Sequence, residues 1–159
     1  MPTLLPDSCV IIPAVQGWHE HHDIARNELR RRLDDGEHMV LAAHSLLECY
    51  SVLTRLPGPL RMAPGAVLEL IKTNFIDRGT VVGLSAEQYL ELLTGVGAAG
   101  VVGGRTYDAL IARCSDVSRV DELLTFNVRH FTGLTTHSTV MAPKTRTVAA
   151  RPSAAPRDR

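Results

Sequence analysis

No window of this 159-residue chain holds the roughly 18 uninterrupted apolar residues that a membrane-crossing helix needs. The N-terminus also lacks a basic region followed by a long apolar stretch, so no secretory signal is read there and the cytoplasm is the expected location. Cysteine is sparse: Cys9, Cys49 and Cys114 are an odd number with no C-x-x-C pair, which excludes a disulfide framework and a zinc ribbon and predicts reduced core thiols. The run His19-Glu20-His21-His22 lacks the H-E-x-x-H spacing of a zinc helix and reads as an exposed cluster at a helix start. The loop "GVVGG", 100 to 104, has no Lys-Ser/Thr after it, so its glycines read as a tight turn and not as a phosphate cradle. Arg30, Arg31 and Arg32 point in different directions on a helix and read as a solvated face, with at most one or two of them along an RNA path.

Net charge is zero but unevenly placed. Residues 143–159 hold five Lys/Arg against one Asp, leaving 12 basic against 16 acidic residues in 1–142. The first stretch, with 45% hydrophobic and 21% charged residues over the whole chain, suits one soluble domain with a sizeable core. The second, "APKTRTVAARPSAAPRDR" from Ala142 on, has no apolar periodicity and reads as a basic, disordered tail.

The pattern along 1–142 alternates short apolar strands with helices. Strands are expected at 3–6, 39–43, 80–84, 122–126 and 138–142, and helices at 17–35, 44–56, 64–77, 87–93 and 105–117, with Gly36 and Pro57-Gly58-Pro59 as stops and Ser85 as a cap. Such alternation predicts an α/β fold with a mostly parallel central sheet and helices on both faces. In that architecture ligand sites form beyond the carboxyl ends of the strands, where Asp7 and Asn127 fall.

Three acids then need an explanation. Asp7 lies between two apolar runs in "TLLPDSCVII", where an unpaired carboxylate is costly to bury, although Asp-Ser is also a good turn and helix cap. Glu48 is on the polar side of the "SLLECYSVLTRL" helix, with Arg55 as an alternative partner; Asp108 stands at the edge of the apolar arc of "GGRTYDALIARC", where the helix dipole would favour it.

The order of these pieces, "PDSCVII", "SLLECYSVLTRL", "GGRTYDALIARC" and "LLTFNVRHF", resembles the PIN-domain ribonucleases, and among them the VapC toxins of bacterial toxin–antitoxin pairs. The resemblance covers about residues 3 to 140 and implies a PIN-like three-layer sandwich. By position it implies an acidic site of Asp7, Glu48 and Asp108, with Asn127 where many relatives carry a fourth Asp and Thr125 close by. Cys9 stands where the family more often has Ser or Asn, a change expected to affect only hydrogen bonding around the site.

It further implies metal-dependent endonucleolytic cleavage of single-stranded or loop RNA, with magnesium, or manganese as an alternative, held by Asp7 and Asp108 while Glu48 assists. A homodimer and a small VapB-like antitoxin are the partners implied. A non-catalytic module of the same fold, its acids binding a basic partner segment, is the alternative.

Overall fold

A computed structural model describes residues 1–144. The five strands are β1 (Thr3–Pro6), β2 (His38–Ala42), β3 (Gly79–Val82), β4 (Glu122–Leu124) and β5 (Thr139–Met141). They form one sheet in the order β3-β2-β1-β4-β5, every neighbouring pair parallel. The six α-helices among the described residues are α1 (Ser8–Ala14), α2 (His22–Asp34), α3 (Ala43–Arg55), α4 (Pro64–Asn74), α5 (Ala86–Ala98) and α6 (Arg105–Val117). None is long and apolar enough to cross a membrane.

Alternation along the strands divides the core in two, because successive side chains leave a strand on opposite faces. Leu4, Met39, Leu41 and Leu124 pack with Val10, Ile11, Leu29, Leu53 and Ile71 from the first four helices and with Phe75 just after α4. Leu5, Val40, Ala42 and Leu123 pack on the other face with Leu110, Ile111 and Cys114 of α6 and with Phe131. This is the expected three-layer sandwich. At the β2–β3 pairing a side chain at Gly79 would stand 2.5 Å from the Met39 carbonyl oxygen, so the sheet closes there only around glycine.

Several element boundaries match the pattern and some do not. Helix α6 has the expected bounds, Gly36 ends α2 with φ of 84°, and Ser85 caps α5 in a reciprocal pair with Gln88. Helix α2 starts only at His22, after a turn-rich loop, and α4 stops at Asn74, a single tighter turn following at Ile76–Arg78. Helix α5 runs on to Ala98. The apolar run after Asp7, which shows no helical period, is itself the helix α1, with Pro13 inside it. Its Ser8, Val10, Ile11, Pro13 and Ala14 are all buried. Burial on most sides erases the amphipathic signal and overrides the poor helix propensity of β-branched residues and proline.

The arginine run also differs from a solvated face. Arg32 is buried, its guanidinium 3.0 Å from Glu28, 2.9 Å from Glu37 and 2.6 Å from Glu122 of β4. Arg31 pairs with Glu28 and Asp35, leaving Arg30 as the exposed member of the run without an ion pair among the described residues. Of the expected basic tail, residues 145–159 lie outside the described residues.

Candidate active site

The chain reverses its winding at β1, which has β2 on one side and β4 on the other, so a crevice opens beyond the carboxyl ends of β1 and β4. Asp7 follows β1 directly. Its backbone N–H donates to the Leu124 carbonyl at 2.9 Å, which ties it to the end of β4. Its carboxylate is only 4% exposed and is held from both sides. Oδ1 accepts from the Ser8 N–H at 2.6 Å, capping α1, while Oδ2 accepts from the Thr125 hydroxyl at 2.9 Å and the Cys9 thiol at 3.0 Å. The capping reading of Asp7 is therefore borne out, and capping leaves Oδ2 turned toward Thr125 and Cys9, not toward the helix.

Burial pushes the Asp7 carboxyl above the usual carboxylate range, against the hydrogen bonds from Cys9, Thr125 and Ser8; the charge of Asp108 pushes it the same way as burial. Cys9 completes the cradle, since its sulfur also accepts from the Phe126 N–H at 3.3 Å. Burial and the neighbouring Asp7 charge push the Cys9 thiol up to about 12, so it remains a protonated donor and not a nucleophile. Unlike Cys49 and Cys114, which are core thiols, it is only partly buried.

Asp108 occupies the first turn of α6. Its Oδ2 is 3.4 Å from Nδ1 of His130, whose own carbonyl accepts from Arg105 at 3.0 Å. Burial raises the Asp108 carboxyl, His130 and Arg105 oppose the rise, and the charge of Glu48 adds to it. Asp108 thus links the acids, its charge raising Asp7 while Glu48 raises Asp108. His44 and Tyr107 stack at 4.8 Å, Tyr107 being the residue before Asp108.

Glu48 faces an open cleft of about 420 Å³ together with Ser8, Cys9, Ile12, His19, His21, Phe126 and Asn127. It makes no ion pair with Arg55 among the described residues. The Asn127 N–H donates to the Thr125 hydroxyl at 3.0 Å, which aligns that hydroxyl toward Asp7. A second cleft, near 300 Å³, lies between α1, α2 and the end of α4 around Met39 and Arg78; no carboxylate lines it. The sequence-predicted residues thus gather at one end of the sheet. Among the described residues, however, no three His, Cys, Asp or Glu side chains stand close enough to share one ion.

Two features escaped the sequence. His130 was legible only as part of "RHF", and its pairing with Asp108 depends on a separation of 22 residues that no periodicity reports. The histidine run is not merely an exposed cluster, because His21 stacks on Phe126 at 4.5 Å and both His19 and His21 line the cleft.

The raised Asp108 carboxyl has a measurable consequence. A carboxyl that titrates higher in the fold than in the unfolded chain contributes its stability fully below the ordinary carboxylate range and loses it as pH rises through the folded value. Asp108→Asn is therefore expected to melt at or above the wild-type temperature at neutral pH with divalent ions chelated, and the difference should shrink in acid. A lower melting temperature at neutral pH would mean that the helix dipole and His130 outweigh the repulsion.

Against this geometry, the comparisons define a class. Residues 4–132 match the PIN domain model, and the chain belongs to the PIN-domain family. Within it the similarity is to VapC proteins: the chain is 39% identical to ribonuclease VapC40 of Mycobacterium tuberculosis over 108 residues, 68% of this chain and 75% of that protein. It is 33% identical to ribonuclease VapC27 of the same organism over 138 residues, covering 80% and 87%. In fold it is similar to the VapBC2 complex of Rickettsia felis bound to a promoter DNA fragment, with a TM-score of 0.62 and 18% identity over 88% of this chain and 98% of that one. The Mycobacterium tuberculosis VapC20 toxin, which cleaves the sarcin–ricin loop, gives 0.64 and 12% identity over 84% and 97%.

Proposed function

We propose that this chain is an endoribonuclease toxin of a VapBC-type toxin–antitoxin pair, hydrolysing phosphodiester bonds of single-stranded or loop RNA with magnesium, or manganese, held by Asp7 and Asp108. The folded unit is taken as residues 1–142. The observation that carries the reading is Asp7: a buried carboxylate wired to three protein donors, in reach of the charge of Asp108, which in turn feels Glu48. Gathering like charges destabilises a fold unless a cation offsets them. The donor set is all carboxylate and amide oxygen, which suits a hard divalent ion that keeps several waters.

Such an ion, when bound, polarises a phosphodiester oxygen and lowers the pKa of a bound water. The chain itself does the rest. Ser8, Cys9 and Thr125 hold Asp7 in one orientation, His130 steadies Asp108, and Glu48 and Asn127 face the cleft where a phosphate would enter. Asn127 is neutral where the family resemblance implies a fourth acid in many members, so the site would hold one ion firmly and recruit any second one together with the RNA. Two relatives bear the name ribonuclease, one structural neighbour is a sarcin–ricin loop cleaving toxin and another is a VapBC complex, which supports RNA as substrate and a VapB-like antitoxin as inhibitor. The antitoxin would place a basic side chain among the carboxylates, and the toxin would form a homodimer.

Purified chain freed of antitoxin, incubated with total RNA and mapped for new 5′ ends, is expected to cut at discrete sites with magnesium and to stop with chelator. Cleavage that persists in chelator would overturn the metal assignment. Absence of any cleavage at saturating magnesium would favour the non-catalytic module.

A further inference from the structure

The loop between α1 and α2 brings the rings of His19 and His21 to the cleft and holds Trp18 beside them. Trp18, the chain's single tryptophan, is 54% exposed. Its ring lies 6.1 Å from that of His19, which lies 5.6 Å from His21, which in turn stacks on Phe126 at 4.5 Å and 21°. The first two pairs are tilted by 44° and 45°, so these rings do not stack face to face on one another. The loop is also fixed in place: the His21 N–H donates to Nδ1 of His19 at 3.1 Å, and His22 Nδ1 bonds the Pro13 carbonyl at 2.8 Å.

The inner end of this series is at the acids. Phe126 sits between Thr125, which holds Asp7, and Asn127, and its own N–H is bonded to Cys9. His19, His21 and Phe126 share the cleft with Glu48 and Asn127. A half-exposed indole beside the cleft offers a large flat apolar surface to a ligand. Unpaired bases stack on such rings whatever their identity, because every base has a π-face.

We propose that Trp18, His19, His21 and Phe126 form a stacking track that takes the unpaired bases of an RNA strand as it leaves the acidic site. This rests on the ribonuclease reading but concerns binding, so the two are separable. The track sets the strand's path and selects single-stranded RNA over duplex, whose bases have no free faces. It reads no base identity.

Tryptophan fluorescence tests it directly, since Trp18 is the only emitter of its kind. With divalent ions chelated to prevent cleavage, a short oligoriboadenylate is expected to quench Trp18, whereas an abasic oligomer of equal length and charge is not. His21→Ala, at a half-exposed position that should leave the melting temperature near wild type, is expected to weaken oligoriboadenylate binding about fivefold or more, the low end of one base–aromatic stack. His21→Phe should restore binding, and neither change should alter affinity for the abasic oligomer. In cleavage with magnesium, His21→Ala should raise KM more than it lowers kcat.

Equal quenching by both oligomers, no quenching by either, or unchanged affinity and KM in His21→Ala would each overturn the track, even while the wild-type chain cuts RNA. Quenching and weakened His21→Ala binding without any cleavage would uphold the track and count against the ribonuclease.

Discussion

Asp7→Asn is expected to lose RNA cleavage by well over the roughly 10–100-fold that follows loss of a group merely supporting a metal ligand. The asparagine is the informative replacement because it keeps the fold. Its side-chain oxygen can still accept from the Ser8 N–H and cap α1, and its amide can donate to the Thr125 hydroxyl, which rotates to accept. What it lacks is charge. Alanine would also remove the cap, at a cost of about 1 kcal/mol, and confuse two effects.

The surrounding residues give an internal scale. Cys9→Ala and Thr125→Val each delete one donor to Oδ2 and leave the carboxylate in place, so each should cost about 10–100-fold. Rates of cleavage for the three variants, measured at saturating magnesium with antitoxin removed, check the ranking. Activity of Asp7→Asn near wild type, or below-tenfold effects throughout, would remove Asp7 from the catalytic site.

The second large effect concerns the fold. Arg32→Ala should destabilise the protein by about 3–5 kcal/mol, the usual result of removing one partner from a buried ion pair. Arg32 is the shared cation of Glu28, Glu37 and Glu122, and its side chain is 6% exposed while that of Glu28 is 2% exposed. Without it, Glu28 keeps only Arg31 and the carboxylate of β4 loses its ion pair to α2. For a chain of this length the melting temperature should fall on the order of 10 °C. Burial disfavours the charged Glu28, but hydrogen bonds and charges from Arg31 and Arg32 win and hold its carboxyl below the ordinary value. The stability this group contributes is therefore present above the ordinary glutamate range and lost as pH falls through the folded value. Arg32→Ala should consequently lose its disadvantage in acid. A change of less than about 1 kcal/mol at neutral pH would mean that water replaces the guanidinium freely. Catalysis at low temperature should be little affected, since the network lies away from the cleft.

The contrast between these two sites shows what a linear sequence carries. Asp7 and Asp108 stand out as candidates through the resemblance to PIN-domain ribonucleases. A charge between apolar runs and a carboxylate at the edge of an apolar arc are by themselves equally well explained by helix capping and the helix dipole. The Asp7 partner Thr125 is placed near the site by the resemblance alone: 118 residues separate it from Asp7, and only the β1–β4 pairing brings them together. Arg32 failed for the same reason. Its pairing with Glu28 has a helical spacing, but Glu122 comes from another layer, and without it the run looks like any exposed basic face. Helix α1 was hidden differently, since a helix buried on nearly every side has no polar stripe to set its period.

The sheet order has a consequence for how the molecule is made. The chain lays down β2 and β3 beside one edge of β1 long before β4 exists to occupy the other. Until residues near 125 have left the ribosome, Asp7 has neither the Leu124 carbonyl for its backbone nor the Thr125 hydroxyl for its side chain. A cluster of acids built across β1 and β4 therefore comes together only after β4 has been made, so a shorter growing chain carries the parts of the candidate site without the site itself.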